Sequence, residues 1–96
     1  MANSTHTYTA DVRNQSILIN INGDLVPREQ ATVSVFDSGF ILGDGIWEGL
    51  RVHEGAIPFL DKHLNRLWEG AKALDLDMEI SQDALAGRVV ATLTAS

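Results

Sequence analysis

A chain of 96 residues amounts to one domain at most and has room for only a modest buried core. Thirteen acidic residues against seven basic ones give a net charge of -6, a balance that works against binding the phosphate backbone of nucleic acid or an anionic membrane surface. The absence of cysteine removes disulfides, thiolate nucleophiles and thiolate metal sites while leaving the redox compartment open, and no apolar run approaches a membrane span, so a cytoplasmic location is the default expectation.

Residues 1–14 are polar with little apolar periodicity and read as a flexible arm, leaving 15–96 as the domain proper. Strands are expected near 17–21 and 24–27, joined by the Asn22-Gly23 pair that favours a tight hairpin turn. Pro27 ends the second strand, and Ala31 to Val35 offers either a third strand or a turn-rich connector. Asp37 to Gly45 holds three glycines in nine residues and is expected to be a loop. Ile46 to His53 partly alternates apolar with polar residues, Glu54-Gly55 marks a turn and Ala56 to Phe59 resumes an apolar run, the pattern of a second hairpin. Leu60, Leu64, Leu67, Trp68, Ala71 and Leu74 then recur at steps of three and four, one face of a helix, with Asp61 placed favourably in its first turn. Ser81 reads as the N-cap of a second helix, whose buried stripe would be Leu85, Val89, Val90 and Leu93. The expected fold class is α+β, an antiparallel sheet with two helices.

Among residues able to carry chemistry, Arg66 projects off the apolar helix face, and from the pattern alone it reads as a solvated arginine. Its side chain is a planar fork of donors whose charge persists at any working pH. His63 lies on the same side of the helix, three residues earlier. Gly43-Asp44-Gly45 lacks both the Gly-Lys-Ser/Thr ending and the strand-to-helix setting of a nucleotide loop. Trp47 fits a core position of an alternating strand, Gly49 a bulge, and Arg51, two residues beyond Gly49, an exposed strand charge on the same face. Lys62 and Lys72 are the only lysines, and both fall on the polar side of the helical pattern, without the apolar surroundings a Schiff-base lysine requires. His6, His53 and His63 have no metal-ligand spacing, and no Ser/His/Asp arrangement is present.

The stretch Asp37-Ser38-Gly39-Phe40-Ile41-Leu42-Gly43-Asp44-Gly45-Ile46-Trp47-Glu48-Gly49, followed by His63-Leu64-Asn65-Arg66-Leu67, resembles the class IV aminotransferases over roughly residues 16–93. The resemblance implies the small N-terminal domain of a fold type IV enzyme that uses pyridoxal 5'-phosphate (PLP), similar to branched-chain and D-amino-acid transaminases. It implies that Arg66 grips the cofactor phosphate and that Trp47 and Gly49 face the substrate pocket. Branched-chain enzymes often carry a tyrosine where Leu42 stands, so carboxylate recognition would need another donor, for which Arg51 is a candidate. The lysine of the Schiff base would lie in a larger C-terminal domain beyond Ser96, so no catalytic residue is assigned to this chain and the fragment is expected to be inactive alone. The partners implied are an amino acid, a 2-oxo acid, the C-terminal domain and, as is typical of the family, a second copy of the protein in a homo-oligomer. An aminodeoxychorismate lyase-like enzyme domain and a non-catalytic, self-associating module are the alternative readings.

Overall fold

The computed structural model describes residues 16–95, so the arm expected at 1–14 lies outside the described residues. Strands β1 (Leu18–Ile21) and β2 (Asp24–Pro27) pair antiparallel, with Leu18 opposite Pro27 and Ile21 opposite Asp24. Their turn is set by Asn22 at φ 54° and Gly23 at φ 97°, the two left-handed residues that match the twist of a two-residue hairpin. The Asn20 side chain closes it by accepting a 2.8 Å bond from the Gly23 N–H. A single 3₁₀ turn, Arg28–Gln30, follows, and residues 31–35 form no strand.

Helix α1 (Ser38–Leu42) occupies the stretch expected to be a loop. Asp37 caps its start by accepting the Gly39 N–H at 2.8 Å, and Gly43, left-handed at φ 72°, ends it. The glycines therefore punctuate a five-residue helix instead of dispersing it. The second expected hairpin is reduced to its turn: His53 and Ala56 exchange backbone hydrogen bonds of 2.8 and 3.0 Å around Glu54-Gly55, and the flanking residues form no ladder.

Helices α2 (Leu60–Ala73) and α3 (Gln82–Ala95) lie where the periodicity predicts. On α2 the expected face does turn inward, with Leu64 and Ala71 buried and Leu60, Leu67 and Trp68 half-buried, although Leu74 is exposed. Ser81 caps α3 through a 3.0 Å bond from the Ala84 N–H. Leu85, Val89 and Leu93 are half-buried as expected, whereas Val90 lies one step round the helix and is exposed. Helix α3 docks on both α2 and β1, fastened to β1 by a 3.1 Å bond from the Asn20 amide to Thr92 Oγ1. The Arg88 guanidinium lies over the Gly23 turn, where a Cβ would come within 3.1 Å of its Cζ. Between β1, α3 and the residues before α2 an open apolar groove of about 850 Å³ remains, lined by Leu18, Leu50, Val52, Ile57, Leu85 and Val89 among others.

Gly70 faces Ile46 in the segment that links α1 to the Glu54-Gly55 turn. A Cβ built there would meet Ile46 Cγ2 at 3.5 Å, an ordinary contact, so the segment lies against the helix at the distance a small residue allows. Gly70→Ala should therefore be accommodated and should raise stability by roughly 0.5–1 kcal/mol through helix propensity. Gly70→Leu, a helix former of greater reach, should push Ile46 away and melt below Gly70→Ala in thermal unfolding. Equal melting of the two variants would show that the segment does not depend on this approach.

Candidate functional site

From Ile46 to Arg51 the chain forms no helix and pairs with no strand, yet its exposure alternates residue by residue. Ile46, Glu48 and Leu50 are half-buried, while Trp47, Gly49 and Arg51 are exposed. This is the period of a strand, expressed without a ladder partner among the described residues. One consequence is chemical: the inward row contains a carboxylate, with only 11% of the Glu48 side chain exposed. A carboxylate so placed demands positive or donor partners.

Helix α2 supplies them. His63, Arg66 and Gly70 fall at steps of three and four, so they share one face of the helix, with Gly70 admitting Ile46 and the other two reaching Glu48. His63 Nδ1 lies 2.6 Å from Glu48 Oε1. An ionised carboxylate has only acceptors, so Nδ1 carries the hydrogen and donates it. Arg66 donates from Nε to Oε2 at 3.3 Å and from Nη2 to Oε1, gripping the carboxylate along one edge of the guanidinium. The bonds from Arg66 and then from His63 hold the Glu48 carboxyl at about 2, well below its ordinary 4.5, against a smaller opposing effect of desolvation. The same pairing raises Arg66 further above its already high value.

Arg66 has five N–H groups and Glu48 engages two, which leaves three, two of them along the end of the fork, on a side chain that is 69% exposed. That free edge can receive two oxygens of an external tetrahedral anion. Arg66 is thus neither a purely solvated residue nor one spent entirely on an internal ion pair. Trp47 is 86% exposed, which removes it from the core of this chain, and its indole reaches over Gly49, where a Cβ would lie 3.7 Å from Trp47 Cζ3. Leu42, at the end of α1, is 70% exposed, and Arg51 is exposed as well. Among the described residues no hydrogen bond or ion pair joins Arg51 to the Glu48 group, whereas Trp47 and Gly49 flank Glu48 directly in the chain. The 850 Å³ groove is lined by none of Trp47, Glu48, His63 or Arg66 and is a separate feature.

Both lysines are exposed, and Lys62 Nζ sits 5.3 Å above the Phe59 ring, so neither has the desolvated setting of a Schiff-base amine. Among the described residues no group of three His, Cys, Asp or Glu side chains could hold a metal. No helix is long and apolar enough to cross a membrane, again among the described residues. Glu48 is the residue that the sequence reasoning left without a role. Its signal was an acidic residue in the same row as Ile46 and Leu50, which calls for a cation on the facing element.

Linkage gives the pH behaviour of this cluster. Because the folded carboxyl titrates near 2 and the ordinary one near 4.5, its contribution to stability is complete above about pH 4.5 and is lost as pH falls through about 2. The stability difference between the native chain and Glu48→Gln, measured by urea unfolding, should be constant at neutral pH and shrink steadily from pH 5 to pH 2. A difference independent of pH would mean that the ion pair does not stabilise the fold.

Residues 45–96 match the family model described as amino-transferase class IV. The chain is 39% identical over 75 residues to a protein of Methanocaldococcus jannaschii provisionally named a branched-chain-amino-acid aminotransferase, a match covering 78% of this chain and 26% of that protein. It is 41% identical over 80 residues to branched-chain-amino-acid aminotransferase-like protein 1 of Arabidopsis thaliana, covering 83% and 14%. With the D-alanine aminotransferase of Bacillus licheniformis it shares 34% identity over 64 residues, covering 67% and 23%. The chain spans about a quarter or less of the length of these relatives.

Proposed function

The chain belongs to the class IV aminotransferases, a family of amino-group-transferring enzymes, and on that premise we propose that it forms the part of a PLP-dependent enzyme that holds the cofactor phosphate and walls the substrate pocket. The observation that carries this reading is the free end of the Arg66 fork, turned outward from α2 while its other edge is fastened to Glu48. Such an edge fits a phosphate dianion in shape, in donor count and in charge. Bound PLP supplies an electron sink for the bonds around the amino acid's α-carbon. The residues of this chain bind and orient: Arg66 retains the phosphate, and Trp47 with Gly49 forms a wall along the exposed face of segment 46–51. Leu42 and Arg51 border that wall, Leu42 with apolar surface and Arg51 as a donor for a substrate carboxylate.

In this reading the amino donor is a branched-chain-like amino acid and the acceptor a 2-oxo acid. Support comes from the relatives named for branched-chain amino acids, which align over more of the chain than those named for D-alanine. The lysine that carries the cofactor lies in the part of the enzyme that this chain does not span, and the chain alone is inactive. Assembly into a homo-oligomer is supported by the exposed side chains of Val35, Phe36, Phe40, Ile41, Leu42 and Trp47, an apolar surface that another domain or a second copy would cover.

In the full-length protein, Arg66→Ala should weaken PLP binding about 10- to 100-fold, the value of charge-assisted hydrogen bonds to one anion. Arg66→Lys should recover part of that loss. Equilibrium dialysis against PLP measures both, and an unchanged dissociation constant in Arg66→Ala would refute the phosphate assignment. Trp47→Ala should leave the thermal stability of the 96-residue chain nearly unaltered, because the side chain is exposed there, and in the full-length protein should shift kcat/KM toward bulkier amino acids by about 1–3 kcal/mol per methylene accommodated. A substrate ranking identical to that of the parent would remove Trp47 from the pocket.

A further inference from the structure

We propose that Glu48 is a positioning residue for the anion site: by holding the Nε–Nη2 edge of the Arg66 guanidinium, with His63 bracing its carboxylate, it presents the Nη1–Nη2 end as a preorganised phosphate fork. The inference rests on the reading of Arg66 as the phosphate-binding residue.

The geometry supports it on three counts. Glu48 takes Nε–H and one Nη2–H, which fixes the guanidinium plane as well as its charge, because two bonds to one carboxylate restrain the planar group from swinging about the Cδ–Nε bond. Glu48 is itself immobilised: it is nearly buried, it accepts a second bond from His63 at 2.6 Å, and its strand-like segment is seated on α2 through Ile46 and Gly70. Arg66, by contrast, is largely exposed, and a long arginine stem without such a tether would sample many rotamers.

The two roles open to Glu48 make opposite predictions. As a mere counter-charge it would compete with the phosphate, and its removal would strengthen anion binding. As a positioning residue it carries the ordering of the arginine in advance, and its removal weakens binding despite the loss of a negative charge beside a cationic site.

The test uses the full-length protein and two probes, PLP and pyridoxal, which lacks the phosphate. The ratio of the pyridoxal dissociation constant to the PLP dissociation constant isolates the phosphate contribution, and a general loss of structure moves both constants together. Glu48→Gln should lower PLP affinity roughly 3- to 10-fold with pyridoxal affinity nearly constant. Glu48→Asp retains the charge but draws the carboxylate back by one methylene, and it should shift the ratio in the same direction. Adding Glu48→Gln to Arg66→Ala should change the ratio no further, since no fork remains to be aimed.

If Arg66→Ala reduces the ratio while Glu48→Gln raises it or leaves it alone, the positioning role is overturned and the phosphate site stands. If Arg66→Ala leaves the ratio unchanged, both fall. Should Glu48→Gln not fold, Glu48→Asp decides the matter, because a ratio equal to the parent's would show that charge alone is needed.

Discussion

Segment 44–52 runs beside α2 with no backbone hydrogen bond joining it to any other described residue, so the usual ladder that locks an extended chain in register is absent. Side chains replace it. Ile46 rests against Gly70, and two residues on Glu48 reaches His63 and Arg66 on the same face of the helix. The spacing on the two elements is commensurate: a two-residue step along an extended chain covers about 7 Å, and the four residues from Gly70 back to Arg66 cover about 6 Å of helix. An apolar contact and a charged contact therefore fall in step. Everything proposed for the site descends from this match, since it fixes Glu48 within the fold and sets Trp47 and Gly49 on the opposite face of the same segment.

The apolar interior contributes comparatively little to that arrangement. Leu64 and Ala71 are the buried hydrophobic residues among those described, and the groove between β1, α3 and residues 50–57 stays open. What fastens α3 to the hairpin is in good part polar, through Asn20, Thr92 and the Arg88 guanidinium above the turn. A domain built this way reaches its shape through directional bonds at a few points, and it leaves much of its hydrophobic driving force unspent on its own folding.

Helices α2 and α3, the Asn22-Gly23 hairpin and the Ser81 cap were legible in the sequence because each rests on a local rule: a period, a turn pair or a capping residue. Helix α1 was not. Three glycines between residues 37 and 45 suggest a loop, yet Asp37 and Gly43 act as the two caps of a helix between them, a distinction that depends on φ at Gly43 and not on glycine content. The second hairpin failed for a different reason. Alternation in residues 46–51 is real, but pairing depends on a partner strand, and alternation does not reveal whether one is present. For Arg66 the helical period gives only a solvated arginine, because a period cannot show which side chain meets it across the fold, and its pairing with Glu48 emerges only in the folded chain. Glu48 was hidden by the same limit from the other side, since its partners lie 15 and 18 residues away and meet it only once α2 is folded.

The apolar strip from Val33 to Trp47 contains two charges, Asp37 and Asp44, and no basic residue. Any surface that covers it must therefore approach through a negative potential. Dissolved ions, which screen such a potential beyond about 10 Å at 0.1 M, would ease that approach, while the hydrophobic contact itself does not depend on opposite charges. Ionic strength thus acts on this face in the sense opposite to its action on an ordinary salt-bridged interface. A covering surface that brings lysines or arginines to the rim would meet no such barrier, and the strip in this way favours a basic neighbour over an acidic one.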